Sequence, residues 1–110
     1  MAGLLVTTTQ TSVDWERHHA VVSVLVMDTA GKVEKDLSLA NFTIQHGAGE
    51  VAHLTVAQHG AYEREVTGFY TLSFTLDATL LSTDTTAIQR EVLVTVTTKD
   101  GRSGQTNVRL

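Results

Sequence analysis

The sequence predicts an all-β protein, a two-sheet sandwich of about seven strands, and three observations carry that expectation. Threonine and valine together fill 32 of the 110 positions, and β-branched side chains lose little conformational freedom on entering a strand. Apolar residues recur at every second position in several separate runs, which is the period of a strand with one buried face. Gly, Asp and Asn punctuate these runs at intervals of about eight to twelve residues, and no long stretch carries a helical period. A chain of 110 residues encloses one core, so residues 1–110 are expected to form a single domain.

The first strand, Leu4–Thr11, is rich in Thr and Val without a clean period, as suits the periphery of a sheet. Val13–His18 mixes polarities around the only tryptophan and reads as a loop or a short extension. Ala20–Asp28 is stronger. Val22, Val24 and Val26 share one face and Val21, Ser23, Leu25 and Met27 the other, the pattern of an interior strand whose second face is partly covered. Asp28-Thr-Ala-Gly31 supplies a turn, and Asn41–His46 alternates again with Phe42 and Ile44 inward. Gly47-Ala-Gly49 breaks that strand, and Val51–Gln58 follows with Leu54 and Val56 on the buried side. Ala61–Thr67 reads as a loop or an additional short strand. Phe69–Leu76 is the richest alternating run, with Tyr70, Leu72, Phe74 and Leu76 on one side and Thr71, Ser73 and Thr75 on the other. Tyr70 is a candidate for tying the core to a neighbouring loop through its hydroxyl. The Ser/Thr/Asp-rich stretch 77–86 has room for one helical turn capped by Ser82 or Thr83.

Arg90–Lys99 and Gln105–Leu110 form a hairpin whose register can be read from the pattern. A three-residue loop, Lys99-Asp100-Gly101, with glycine in the left-handed conformation sets Thr98 opposite Arg102. Val92 then faces Val108, Val94 faces Thr106 and Val96 faces Gly104. A two-residue Asp-Gly loop would set the valines against Arg109, Asn107 and Gln105. The longer loop keeps apolar beside apolar and is preferred, with the bulge it implies.

Seven short strands in about a hundred residues is the count of an immunoglobulin-type sandwich. Val22-Ser-Val-Leu-Val-Met-Asp28-Thr-Ala-Gly31, Asn41-Phe-Thr-Ile44, Gly68-Phe-Tyr70-Thr-Leu and Val92–Arg102 together resemble the bacterial immunoglobulin-like and invasin-like modules. Their strands bracket an Asp-x-x-Gly turn, a Gly-x-Tyr strand follows, and a valine-rich hairpin closes the domain. The resemblance implies a spacer, adhesion unit or accessory domain of a larger surface or assembly protein. It departs from those modules in lacking proline and in its tryptophan near Val13.

Charge and composition narrow the partners. Twelve acidic against eight basic residues give a net charge of -4, and no Lys/Arg cluster builds a phosphate-binding stripe, so nucleic acid is not expected. No run approaches the roughly 18 apolar residues of a membrane span, and Met1–Thr7 lacks the features of a signal peptide. The absence of cysteine removes disulfides, thiolate metal sites and a cysteine nucleophile without fixing the compartment. A place outside the cell is expected where the chain is part of an exported protein.

Candidate sites are few. His18, His19, His46, His53 and His59 show no zinc spacing and read as surface or loop histidines. Asp28, Asp36, Asp77, Asp84 and Asp100 are oxygen donors without a calcium-loop pattern, and read as solvated turn residues. No serine has a nucleophile-elbow context. Glu50, Glu63, Glu65 and Glu91 offer carboxylates whose spacing across a cleft the sequence does not give. No catalytic residue, cofactor or metal is therefore expected. Asn41-Phe-Thr43 matches a short glycosylation acceptor pattern that chance produces often. Two binding readings remain. Trp15 and Tyr62, with Phe69 whose parity opposes Tyr70, are candidate contacts for a carbohydrate or a partner. The Thr-rich Leu4–Thr11 strand, with no proline and no charge before Asp14, is an edge open to a protein partner or to self-association.

Overall fold

The computed structural model describes residues 3–35, 37–46, 49–59, 69–76 and 91–110. Tyr62, the 61–67 crossing and the candidate turn in 77–86 lie outside the described residues. Among the described residues there are eight antiparallel strands: β1 (Leu4–Asp14), β2 (His19–Asp28), β3 (Phe42–His46), β4 (Gly49–Glu50), β5 (Ala52–His59), β6 (Phe69–Thr75), β7 (Glu91–Thr97) and β8 (Ser103–Arg109). They make two four-stranded sheets, ordered β1-β2-β6-β5 and β4-β3-β7-β8. A single 3-10 turn, Leu39–Asn41, precedes β3.

Parity decides what is buried. Val22, Val24 and Val26 of β2, Tyr70, Leu72 and Phe74 of β6, and Val92, Val94 and Val96 of β7 are all at most 1 % exposed. With Phe42, Ile44, Leu4, Ala20, Leu76 and Val108 they fill the space between the sheets. This is the sandwich arrangement in which two inner faces share one core. Phe42 and Tyr70 meet across it, ring centroids 5.3 Å apart and planes tilted by 53°, a favoured aromatic geometry.

The β7–β8 hairpin has the register that keeps apolar beside apolar: Val92 faces Val108, Val94 faces Thr106 and Val96 faces Gly104. Thr98 N–H donates to Arg102 O at 2.8 Å and Gly101 N–H to Thr98 O at 3.1 Å, and Gly101 has φ +89°. The Asp28–Lys32 turn repeats this geometry, with Asp28 N–H on Lys32 O at 2.8 Å and Gly31 N–H on Asp28 O at 3.1 Å. Each glycine adopts a conformation that side chains resist.

Three features differ from the sequence expectation. β4 is an eighth strand, because Gly49 and Glu50 fold back to pair with His46 and Gln45 beyond the glycine break. β1 runs three residues further, to Asp14, whose Oδ1 accepts the N–H groups of Glu16 and Arg17 and so makes the turn into β2. His46, read as a surface histidine, is only 2 % exposed. It shares the parity of Phe42 and Ile44, and that parity carries it inward.

The edge of β1 is better guarded than its composition suggests. Its register shifts between Thr8 and Gln10, a bulge of the kind that discourages pairing with another chain. At its start, Leu4 lies so close to β8 that a Cβ on Gly104 would run into the Leu4 carbonyl. That contact closes one side of the sandwich. The opposite edge, β5, carries its own irregularity between Ala52 and Thr55, where His53 has φ +56°.

Candidate functional site

Two places on the molecule concentrate side-chain chemistry. The first is a cleft of about 290 Å3 at the β7–β8 turn, lined by Glu34, Asn41, Thr98, Asp100 and Arg102 with Lys35 and Lys99 beside them. Arg102 is its centre. The guanidinium is paired with Glu34, and its Nε reaches both oxygens of Asp100, at 3.1 and 3.0 Å. The Thr98 hydroxyl donates to Asp100 and accepts the Arg102 N–H at 3.1 Å. The Thr98 hydrogen bond, followed by Arg102, holds the Asp100 carboxyl below the usual carboxylate range. The Glu34 hydrogen bond raises the pKa of Arg102 further.

The same cleft is tied to the core from behind. The Tyr70 hydroxyl donates to Glu34 O at 2.7 Å and accepts the Leu37 N–H at 3.2 Å, the loop anchor its position in the sequence suggests. Asn41 Nδ2 donates to Thr97 O at 2.8 Å, and Asn41 Oδ1 accepts the Ser38 N–H at 2.8 Å. Backbone around residues 34–41 is thus held by both sheets. The polar groups of the cleft mostly satisfy one another, so its chemistry is that of a clamp.

The second place is the outer face of the first sheet. Strand pairing lays its outward residues in rows: Leu5 with Met27, Thr7 with Leu25, Phe69 and position His59, Gln10 with Ser23, Thr71 and Ala57, and Ser12 with Val21, Ser73 and Thr55. Leu5 is 48 % exposed, and Leu25, Met27 and Phe69 are half-buried beside it. The hydroxyls pair locally, Ser23 Oγ with Thr71 Oγ1 at 3.3 Å and Thr9 Oγ1 donating to Ser23 O at 3.2 Å. Within these rows there is no Asp, Glu, Lys or Arg, and His59 stands at the β5 edge. Asp14 and His19 stand at the far end.

Trp15 and Phe69 are not brought together. Trp15 is 42 % exposed in the β1–β2 turn beside the Asp14–His19 pair, whereas Phe69 lies opposite Leu25, six residues further along β2. At the rise of a strand that is about 20 Å. Tyr62 is outside the described residues. Among those described, no three His, Asp or Glu side chains form a group able to hold a metal ion, and no helix is long and apolar enough to cross a membrane.

Sequence reasoning missed the Glu34–Arg102 pair, whose members are 68 residues apart. No motif joins them; only the hairpin register, extended to the loop after β2, carries a signal. No family model matches the sequence, and neither a curated protein nor a solved structure matches the chain. The fold and site define the protein by class alone: an all-β, two-sheet antiparallel sandwich.

Proposed function

We propose that this chain is a non-catalytic structural and protein-interaction module of the immunoglobulin-like kind, serving within a larger surface or assembly protein. Its strand order supports the reading. Lettered in sequence, with β4 taken as an insertion, the sheets run A-B-E-D and C-F-G, the arrangement of the constant-type immunoglobulin sandwich. The observation that carries the proposal is the outer face of the first sheet, where Leu5, Leu25, Met27 and Phe69 adjoin the mutually hydrogen-bonded hydroxyls of Ser23 and Thr71. Such a face can be dried by a partner at low cost. The polar cleft supports the same reading, because its ion pairs fix a loop to a hairpin.

The exposure of Trp15 favours a second reading, a carbohydrate-binding module stacking a sugar ring on the indole. A glycan array followed by polysaccharide titrations of the full chain separates the two. No saturable binding is expected. Binding that is abolished by Trp15→Ala would replace the interaction module with the carbohydrate one.

A further inference from the structure

Of the six aspartates in the chain only Asp100 is followed by glycine, and neither asparagine precedes a small residue. That pair carries a chemistry of its own. Where no side chain shields it, the glycine nitrogen attacks the aspartyl Cγ. The new C–N bond forms, the carboxyl hydroxyl departs as water with the amide proton, and a cyclic succinimide results. Water then adds to the former main-chain carbonyl and breaks its bond to nitrogen. The chain now continues through Cβ and Cγ, and the old main-chain carbon is a free carboxylate. One water leaves and one enters, so no further reactant is needed.

We propose that the Asp100-Gly101 peptide is a site of spontaneous isoaspartate formation, and that the clamp of Thr98, Asp100, Arg102 and Glu34 is the gate that holds the reaction off. Every group that must move is held. The nucleophile, Gly101 N–H, donates to Thr98 O at 3.1 Å. The carboxylate it has to meet is turned onto Arg102 Nε, at 3.1 and 3.0 Å, and accepts the Thr98 hydroxyl as well. Arg102 is fixed in turn by Glu34, from the loop after β2. The neutral acid is the form that is attacked, and these donors favour the carboxylate. What the clamp does not provide is cover. The Asp100 side chain is 63 % exposed, so water enters and leaves freely once the contacts part. They sit at a hairpin end outside the core, where local opening costs less than unfolding the sheets.

The product does not fit back into the clamp. Isoaspartate adds one carbon to the main chain of a loop whose length is set by two hydrogen bonds, Thr98 N–H to Arg102 O and Gly101 N–H to Thr98 O. Its carboxylate is carried directly on Cα and loses its reach to the Thr98 hydroxyl and Arg102 Nε. A tie between loop and hairpin that opened reversibly then stays open.

Incubation of the full chain at neutral pH, folded and in urea, tests this, with isoaspartate counted by isoaspartyl methyltransferase labelling and located by peptide mapping. In urea the product is expected at Asp100, and in the folded chain it should form at least about tenfold more slowly. Arg102→Gln should raise the folded rate by about tenfold, as the loss of charge-assisted hydrogen bonds implies, with amide exchange at Gly101 rising in step. Thr98→Val repeats the test should Arg102→Gln fail to fold. Ile44→Val loosens the core without touching the clamp and should leave the rate as it is. A folded chain that reacts as fast as the unfolded one overturns the gate. So do clamp variants no faster than the parent, or an Ile44→Val chain accelerated as much as they are. No isoaspartate at Asp100 in urea overturns the site itself.

Discussion

The two sheets present the same kind of inner face and different outer ones. On the second sheet, Thr43, Gln45, Glu50, Glu91, Leu93, Thr95, Gln105, Asn107 and Arg109 point outward, a mostly polar surface with charges at one edge and one end. Glu91 stands opposite Arg109 there. The first sheet replaces such charges with Leu, Met, Phe and locally paired hydroxyls. Both sheets obey the alternation of the sequence, so burial of the core does not explain the difference. It lies in the residues outside the core, where the first sheet keeps more large apolar side chains and the second more charge.

The sharpest way to break this comparison is to show that the inner faces are not one body. Phe74 is fully buried, and Phe74→Ala is expected to cost about 3–5 kcal/mol. Denaturation followed by Trp15 fluorescence and by far-UV circular dichroism should still give one coincident transition. Separate transitions would mean that the sheets fold independently, and their outer faces would then need separate accounts.

A smaller effect sharpens how the first sheet is fastened. Tyr70→Phe removes the hydroxyl between Glu34 O and Leu37 N–H and is expected to cost about 1 kcal/mol, since water can reach part of this site. Chemical denaturation measures it, and amide exchange at Leu37 should accelerate while that of β7 does not.

The smallest effect belongs to the second sheet's hairpin. The Asp100 carboxyl is held below its ordinary pKa, chiefly by the Thr98 hydroxyl, so its contribution is present above about pH 4 and is lost as pH falls through the folded value. Asp100→Asn should flatten the fall of melting temperature below about pH 4 and leave the slope near neutrality unchanged. An unaltered acid limb would remove Asp100 from the clamp.

Much of the architecture is legible in the chain because it depends on parity and glycine placement. The β7–β8 register follows from matching three valines to Val108, Thr106 and Gly104 with Gly101 in the loop. The faces of β2 and β6, and the Tyr70 anchor, follow from alternation. Elsewhere the pattern is silent. Two residues of β4 have no period, and the Thr8–Gln10 bulge hides among threonines that suit either face. His46 had the inward parity of Phe42 and Ile44, yet its polarity argued for the surface. Of the candidate site, the sequence shows that Phe69 faces away from the core. It does not show that Trp15 lies at the other end of the sheet, because that depends on how β1, β2 and β6 align.

The seam between the sheets has a mechanical consequence. Gly3 lies beside Ser103 and Leu4 beside Gly104, so β1 and β8 start together and run in the same direction. Leu110 lies at the other end of β8, about 20 Å away at the rise of a strand. Tension applied between Gly3 and Leu110 therefore runs along both strands, across ladders whose hydrogen bonds stand perpendicular to it. Those bonds are loaded in shear and together, not unzipped one after another. In a tandem string of such modules, this one would resist extension until its β1–β2 or β7–β8 ladder gave way as a unit.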